Sequence, residues 1–233
     1  MKIFITGANR GIGLEFVRQY LANGDTVFAA ARKPDEATEL NALKSVYPDT
    51  LIPVQIDLID DATIIDAAQS VREHTDSLDV LINNAGINPP GKFQEFGALD
   101  SQGMLFMLHV NTVAPLMVVQ AFIDLLKAGD NPRVVNVSSQ VGSFDWKRNG
   151  GSYGYAPSKS ALNMVTNLLG YDLKPMGITA ITTHPGWVQT DMGGPNASLT
   201  PEESVSGLIT LIDGLTTSDA GKFYKWNGEQ HEW

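Results

Sequence analysis

A glycine-rich loop directly after the first apolar run is the feature that most constrains the fold. The run "KIFIT" (residues 2–6) indicates a short buried strand, and "TGANRGIG" (residues 6–13) continues from it. Gly7 permits a tight turn, and Gly11 and Gly13 allow a pyrophosphate to approach the backbone at the start of the next helix. The spacing is G-x-x-x-G-x-G, not G-x-G-x-x-G, so a simple turn is the alternative. The position of the loop at the first strand–helix junction favours a nucleotide site.

The rest of the chain alternates short apolar runs with longer helical segments. Apolar runs without clean alternation indicate strands buried on both faces, and strand–helix alternation predicts right-handed crossovers. We therefore expect an α/β protein with one doubly wound Rossmann domain, residues 1–233, whose parallel sheet of about seven strands is flanked by helices. Its cofactor half would span about 1–130 and its catalytic half about 131–233. Predicted strands are 2–6, 26–31, 51–57, 78–85, 133–139, 178–185 and 222–224; predicted helices are 11–23, 35–46, 61–74, 99–127, 153–174 and one after Thr200.

Composition excludes several kinds of site. The chain contains no cysteine, which rules out disulfides and thiolate catalysis, and its net charge of −10 argues against a nucleic-acid surface. The four histidines have no metal-ligand spacing, so no metal site is expected. The most apolar stretch, residues 104–122, is interrupted by His109, Asn111 and Pro115, which indicates a buried helix and no membrane span. Without a signal-peptide pattern at the start, the expected location is cytoplasmic.

The end of the second predicted strand bears on the choice of dinucleotide. An acidic residue at that point would bind a ribose hydroxyl, whereas an arginine suits a 2′-phosphate. The sequence there is "AAAR", with Ala31 where an acid would stand and Arg32 next to it. Arg10, inside the glycine loop, adds a second cation. These residues favour NADP(H), with NAD(H) possible; the alternative is that both arginines are ordinary surface cations.

Two tyrosines precede one lysine in "GSYGYAPSK", residues 151–159. Residues four apart lie on one face of a helix, so Tyr155 can share a face with Lys159, whereas Tyr153 cannot. A surface aromatic–lysine pair has the same spacing. The motif therefore gains its meaning from its neighbours in the sequence.

Six motifs together, in this order along the chain, resemble compact members of the short-chain dehydrogenase/reductase family. They are the glycine loop, "NNAG" at 83–86, Asn111, "VSSQVG" at 137–142, Tyr155-x-x-x-Lys159 and "HPGWVQT" at 184–190. The resemblance covers nearly all of the chain. Within the family it is greatest to the C-factor and sniffer-like carbonyl reductases, through "SYGYAPSKSALNMV" and the C-terminal "GKFYKWNGEQHEW".

The resemblance implies a catalytic role for four residues. Tyr155 would exchange the proton with the substrate oxygen, and Lys159 would supply positive charge beside a phenol whose free pKa is about 10. Ser139 would hydrogen-bond the substrate oxygen, and Asn111 would support Lys159 through water. Ser139 lies 16 residues before Tyr155, a longer interval than is usual in the family. Adjacent Ser138 is therefore a rival candidate.

The resemblance also implies two sets of binding residues. The cofactor would contact Gly7, Asn9, Arg10, Gly11, Ile12, Gly13, Arg32, Asp57, Leu58, Asn83, Ala85, Gly86, Tyr155, Lys159, Pro185, Gly186, Val188 and Thr190. Asp57 would meet the adenine amino group, and Asn83 and Gly86 would line the adenosine side. The substrate would contact Ser139, Val141, Trp146, Tyr153 and Trp187. Simple turns, caps and core packing are the alternatives for many of these residues.

The function favoured is an NADPH-dependent carbonyl reductase acting on a small aldehyde, ketone or alcohol. A non-enzymatic NADP-binding regulator of the C-factor type is the alternative. A serine hydrolase is a third reading, because "GGSYG" (150–154) fits G-x-S-x-G; that motif needs a strand immediately before Ser152, and a loop is expected there. The resemblance also implies a homodimer or homotetramer formed through helices near 99–127 and 153–174.

Overall fold

Seven parallel strands form one sheet in the computed structural model, which describes residues 1–91, 94–146 and 150–233. In spatial order the strands are β3-β2-β1-β4-β5-β6-β7, and every neighbouring pair is parallel. Their bounds are β1 Lys2–Thr6, β2 Thr26–Ala31, β3 Leu51–Gln55, β4 Val80–Asn83, β5 Arg133–Val137, β6 Thr179–His184 and β7 Phe223–Lys225. The α/β, doubly wound architecture expected from the sequence is confirmed.

Helices cover both faces of the sheet. They are α1 Gly11–Ala22, α2 Thr38–Val46, α3 Asp61–Arg72, α4 Ser101–Leu108, α5 Ala114–Lys127, α6 Tyr155–Leu173 and α7 Pro201–Gly214. Ile3 and Ile5 of β1 belong to the core cluster that includes α1 and α7. Phe4, between them, belongs to the opposite cluster and lies 4.2 Å from the ring of Phe122 on α5. β1 is therefore apolar on both sides, which explains why its sequence does not alternate.

Three helix boundaries differ from the sequence expectation. The long helix expected over 99–127 is interrupted by a π-helical turn, His109–Val113, which divides it into α4 and α5. The helix expected from Asp35 begins at Thr38, after a 3₁₀ turn at Pro34–Glu36. The helix expected from Tyr153 begins at Tyr155, because residues 153–154 form a turn and Gly154 is the N-cap residue.

The helical stretch Ser101–Lys127 is long and apolar enough, by length and composition, to cross a membrane. Half of its most apolar window is buried inside the protein. Val118, Phe122 and Leu126 of α5 pack in the core with strand residues. The same apolar composition therefore serves the interior of the α/β fold.

The strand order reverses between β1 and β4, which are neighbours in the sheet. In open α/β sheets, ligands bind outside the carboxyl ends of the strands at this reversal. The glycine loop follows β1 and "NNAG" begins at the end of β4, so both motifs lie at that edge. The segments after β5 and β6 reach the same edge because all strands are parallel.

The loop expected before Ser152, "FDWKRNGG" at residues 144–151, is described only in part, since residues 147–149 lie outside the described residues.

Candidate active site

Tyr155 and Lys159 occupy the first turn and a half of α6 and face the end of β5. The Lys159 ammonium lies 5.9 Å from the centre of the Tyr155 ring. It donates a hydrogen bond of 2.9 Å to the carbonyl oxygen of Val137, the last residue of β5. The side chains of Ser139 and Tyr155 are hydrogen-bonded to each other. The structure thus brings Ser139, Tyr155 and Lys159 into one cluster.

Burial shifts the pKa values of both titratable groups in this cluster. Desolvation raises the pKa of the Tyr155 phenol to about 12, although the hydrogen bond with Ser139 works in the opposite direction. Desolvation also lowers the pKa of Lys159 to about 8. At neutral pH the phenol is therefore protonated and most of the lysine is charged. A neutral proton donor beside a cation suits proton transfer to an oxygen that gains negative charge.

The two adjacent serines point in different directions. Ser138 is buried, and its hydroxyl donates 2.6 Å to Asn163 Oδ1 on α6. Ser139 is partly exposed and caps the 3₁₀ turn Gln140–Gly142, where its hydroxyl accepts a bond of 3.3 Å from Val141 N. Ser138 thus holds α6 against β5, whereas Ser139 faces the phenol of Tyr155. This geometry favours Ser139 over Ser138 for contact with a substrate.

Asn111 lies in the π-helical turn and is completely buried. Its side chain makes two bonds to the backbone of Ile87, accepting from N at 2.8 Å and donating to O at 2.9 Å. It also donates 3.0 Å to the hydroxyl of Ser158, the residue before Lys159. A methyl group added at Gly86 would lie 3.3 Å from both Asn111 Oδ1 and Lys159 Nζ. Asn111 therefore ties the loop after β4 to α6 at the lysine.

The glycine loop is held closely against the end of β4. Asn84 donates 3.0 Å to the carbonyl oxygen of Thr6, and the Thr6 hydroxyl accepts bonds of 3.1 Å from the backbone of Asn84 and Ala85. Gly7 has a left-handed φ of 66°. A side chain at Gly13 would collide with the Gly7 carbonyl oxygen. The glycines therefore allow α1 to approach the sheet edge, in addition to any contact with a phosphate.

The start of α1 presents backbone N–H groups at this edge. The first N–H groups of a helix have no partner within the helix, and the side chain of Arg10 does not cap them with any bond that the structure describes. No acidic residue occupies the first turn of α1. The helix start therefore fits an anionic diphosphate, which helix dipoles and free N–H groups stabilise.

Cations stand beside this helix start. Asn9, Arg10 and Arg32 are exposed, and Ile12 packs against the core. Arg10 forms an ion pair of 3.0 Å with Asp191, and both side chains are mostly exposed. The ion pair uses Nη1 of a guanidinium that carries five donors, so the exposed arginine can meet a phosphate while it keeps Asp191.

The segment after β6 returns to the glycine loop. A methyl group at Gly11 would lie 3.3 Å from Thr190 Cγ2, so these two parts of the chain are in contact range. Val188 is buried and forms a β-bridge with Leu199. Gly186 has a left-handed φ of 84°, and Pro185 O accepts a bond of 2.6 Å from Ser204 on α7. Four of the expected cofactor residues are thereby placed on one anchored segment.

One expected contact is wrong for its side chain. Asn83, which was expected to line the adenosine side, is only 2% exposed. Its amide donates to Asn136 Oδ1 at 2.9 Å and to Pro115 O at 3.1 Å, because this face of β4 points toward α5 and β5. Asp57 instead remains at the edge after β3, where both its backbone N and O bond the Thr63 hydroxyl, while Leu58 is buried.

A polar crevice of about 550 Å³ opens beside the start of α6. Its lining includes Asn88, Pro89, Pro90, Gly91, Gln94, Glu95, Gly150, Gly151, Ser152 and Met192. Tyr153, one of the expected substrate contacts, comes directly after the lining residue Ser152 in the sequence. Its ring lies 6.3 Å from that of Phe96. Trp146 and Trp187 are exposed, and Trp187 donates 2.8 Å to Gly193 O. Val141 lies in the turn that follows Ser139.

Ser152 lacks the setting of a hydrolase nucleophile. Residues 150–152 are irregular, and the nearest preceding strand, β5, ends at Val137. His184, which follows Ser152 in the sequence and would be the histidine of such a hydrolase, is buried in β6, where its ring lies 6.3 Å from that of His231. The described geometry gives no support to the hydrolase reading.

Four residues at the site had not been singled out from the sequence. Asn84 and Thr6 lock the glycine loop to β4, Asn163 receives Ser138, and Gln94 bonds the first turn of α6. Asn84 lies inside the "NNAG" motif, which is the signal in the sequence that could have pointed to it. Gln94 has no motif around it, and no signal in the sequence pointed to it.

The chain as a whole is similar to several known proteins. A family model described as short chain dehydrogenase matches residues 1–199. The C-signal protein of Myxococcus xanthus is 41% identical over 159 residues, which are 68% of this chain and 95% of that protein. The carbonyl reductase Sniffer of D. melanogaster superposes with a TM-score of 0.94 at 34% identity, covering 100% of this chain and 99% of that one. An NADPH-bound carbonyl reductase from chicken fatty liver superposes with a TM-score of 0.92 at 36% identity, covering 100% and 98%.

The two serines give a first prediction, which separates a structural residue from a site residue. Ser138→Ala should lower the free energy of unfolding by about 1–3 kcal/mol, because the buried Oδ1 of Asn163 loses its donor. Ser139→Ala should lower it by less than about 1 kcal/mol, because Ser139 is partly exposed. Urea denaturation of the two variants beside the unmodified protein measures both values. A larger loss for Ser139→Ala would contradict the assignment.

The buried ammonium of Lys159 gives a second prediction. Its pKa is about 8 in the folded protein and 10.5 ordinarily, so the folded state holds fewer protons between these values. Below pH 8, burial of the charged ammonium lowers the free energy of unfolding by its full amount. That loss is recovered as pH rises from about 8 to 10.5, because the folded protein releases this proton before the unfolded chain does. Methionine carries no charge to bury, so the advantage of Lys159→Met over the unmodified protein in free energy of unfolding should shrink by an amount on the order of 3 kcal/mol between pH 7 and 10.5.

Urea denaturation of the cofactor-free protein at pH 7, 9 and 10.5 measures this difference. Lys127→Met is the matched control, since Lys127 is exposed on α5. Its difference from the unmodified protein should stay constant over the same range. A constant difference for Lys159→Met as well would show that burial does not shift the pKa of Lys159.

Proposed function

The chain belongs to the short-chain dehydrogenase family, and on that basis we propose that it is an NADPH-dependent carbonyl reductase acting on small aldehydes or ketones. The observation that carries the proposal is the cluster at the start of α6. There Tyr155 is hydrogen-bonded to Ser139, with the Lys159 ammonium 5.9 Å from its ring. A protonated phenol between a hydroxyl and a cation is the donor that carbonyl reduction requires.

NADP(H) is the proposed cofactor, with NAD(H) as the weaker alternative. The uncapped start of α1 and the close approach allowed by Gly13 fit a diphosphate. Arg10 and Arg32 are exposed cations next to that helix start and at the end of β2, where a 2′-phosphate would need them. The similar chicken reductase is NADPH-bound. When bound, the nicotinamide supplies the hydride for reduction or accepts it for oxidation.

The side chains of the site would handle the proton and the developing charge. As the carbonyl carbon gains a hydride, its oxygen becomes an alkoxide and takes the phenolic proton of Tyr155. Ser139 would donate a hydrogen bond to the same oxygen, and Lys159 would stabilise the phenolate that Tyr155 becomes. Asn111 would keep the loop after β4 in register with Lys159 through its bonds to Ile87 and Ser158. Oxidation of an alcohol would run through the same groups in reverse.

A non-enzymatic NADP-binding regulator is the second candidate. The similarity to the C-signal protein favours it. The clustering of Ser139, Tyr155 and Lys159 argues for the reductase, because a protein that only senses a dinucleotide has no use for a proton donor.

The reductase proposal also includes a cofactor half of about 1–130, a catalytic half of about 131–233 and a cytoplasmic location.

Self-association is also part of the proposal. Met164, Leu168 and Tyr171 lie on one exposed face of α6, at positions that share a helix side. Leu105 and Phe106 are exposed on α4, which packs beside α6. Exposed apolar residues that are contiguous on neighbouring helices are typical of interaction surfaces. A second copy of the chain, in a dimer or tetramer, would bury them.

The reductase gives the third prediction. The unmodified protein should consume NADPH with at least one member of a panel of aldehydes, ketones, quinones and short 3-oxoacyl thioesters. Tyr155→Phe should lower kcat/KM by about 10²–10⁴-fold, because it removes only the transferable proton. Tyr47→Phe is the matched control and should stay within about threefold, since Tyr47 follows α2 at the edge of the sheet opposite to Tyr155. Absorbance at the NADPH band follows the reaction.

The outcomes of this assay separate the candidate functions. Turnover that survives in Tyr155→Phe would contradict the proton role of Tyr155. Faster turnover with NADH than with NADPH would contradict the role of Arg10 and Arg32. Tight NADPH binding without turnover on the whole panel would favour the regulator.

The apolar faces of α4 and α6 give the fourth prediction. Light scattering at working concentration should return the mass of a dimer or tetramer, and Leu168→Lys should shift it toward the monomer. Val46→Lys, which changes an exposed apolar residue at the end of α2, is the control that should leave the mass unchanged. A monomeric mass for the unmodified protein would refute self-association.

A further inference from the structure

The first turn of α6, which carries Tyr155, cannot be capped by the residue that precedes it. A helix leaves its first N–H groups without intrahelical partners, and a side chain at the N-cap position usually binds one of them. The N-cap residue here is Gly154, which has no side chain. A side chain introduced there would require the flexible end of Met107 on α4 to move aside.

Gln94 supplies the missing cap from another part of the chain. Its side-chain oxygen Oε1 accepts a hydrogen bond of 2.9 Å from the backbone N of Tyr155. Its backbone carbonyl accepts a second bond, of 3.1 Å, from the backbone N of Tyr153. One residue thus fixes the chain on both sides of Gly154, immediately before the phenol leaves the backbone.

Gln94 is itself anchored on the opposite side. Its Nε2 donates 3.0 Å to Asn88 Oδ1 and 3.2 Å to Pro89 O, in the loop that follows β4. The residue is only 7% exposed. The backbone carbonyl of Gln94 and both polar atoms of its side-chain amide are therefore hydrogen-bonded. Only one orientation of the amide satisfies its bonds.

We propose that Gln94 is a positioning residue whose side chain caps the first turn of α6 and thereby holds the Tyr155 phenol against Ser139. The catalytic consequence rests on the proposed reductase function. Gln94 does not touch the phenol, so its contribution is to geometry and not to the chemical step. Misplacement of a reacting group by about 1 Å can cost on the order of a hundredfold in rate. Loss of the cap should therefore appear in kcat.

Three substitutions separate this role from ordinary stabilisation. Gln94→Leu keeps the size of the side chain and removes both polar atoms. In Gln94→Glu, burial beside two acceptor oxygens favours the protonated carboxyl, whose carbonyl oxygen accepts from Tyr155 N while its hydroxyl donates to Asn88 Oδ1 or Pro89 O. Asp100→Ala is the matched control, because Asp100 caps α4 through bonds to Gln102 N and Gly103 N. It removes a helix cap without a contact to Tyr155.

The fifth prediction concerns kcat, cofactor affinity and Tyr155 amide exchange in these variants. With the best carbonyl substrate, Gln94→Leu should lower kcat by about 10-fold or more while the Kd for NADPH changes by less than about twofold. Gln94→Glu should recover at least about a third of the unmodified kcat. Asp100→Ala should lower the Tm but leave kcat within about twofold.

The result that overturns the proposal is equally definite. A kcat for Gln94→Leu within about twofold of the unmodified protein would do so. A loss of kcat that Asp100→Ala reproduces would also overturn the proposal, as would a loss that Gln94→Glu does not relieve. Either result would mean that the substitution of Gln94 acts through stability alone.

Hydrogen exchange at the Tyr155 amide, followed by NMR, keeps this test apart from that of the reductase. Gln94→Leu should speed exchange there by about 10-fold or more, and Gln94→Glu should not. This readout needs no turnover. An unmodified protein that reduces no carbonyl would refute the proposed function, whereas unchanged exchange in Gln94→Leu would refute the cap whatever the protein catalyses.

Discussion

The charge of Lys159 in the interior is the constraint around which the site is built. Burial lowers its pKa to about 8, so an ammonium at neutral pH survives there only with compensating contacts. The Val137 carbonyl at the end of β5 provides one of them. Gly86 leaves room for the ammonium on the β4 side, because any side chain at that position would crowd it. The ends of two strands and the first turns of α6 must therefore stay in register for the site to exist.

A set of buried polar bonds maintains that register. Asn136 on β5 accepts from Asn83 on β4 and donates 2.8 Å to Thr166 on α6. Ser138 adds its bond to Asn163, one turn before Thr166 on the same helix. Hydrophobic packing alone lets a helix slide along a sheet at little cost, whereas each of these bonds has one geometry and leaves a buried group unpaired when it is broken. The polar bonds therefore set the depth and rotation of α6.

Sequence reasoning succeeded where local periodicity carries the information. The spacing selected Tyr155 as the tyrosine beside Lys159, and the structure places its ring 5.9 Å from the ammonium, because helix geometry puts residues four apart on one side. It was less accurate where neighbours in space decide. The helix expected over 99–127 contains a π-helical turn, whose Asn111 bonds Ile87 and Ser158 from other elements. Asn83 was expected to line the adenosine side of the cofactor, yet its side chain is turned into the protein.

By itself the sequence determined the fold class, a doubly wound parallel sheet through the alternation of strands and helices, and the motifs that gather at the carboxyl edge. These follow from apolar runs, from the helical period of 3.6 residues and from glycine, which are properties of the chain itself. Only the tertiary structure decided between Ser138 and Ser139 as the neighbour of the phenol, and revealed Gln94 as the cap of α6. Both depend on which polar atoms meet across distant segments. Such contacts leave no period in the sequence, because their energy arises only when the elements are packed.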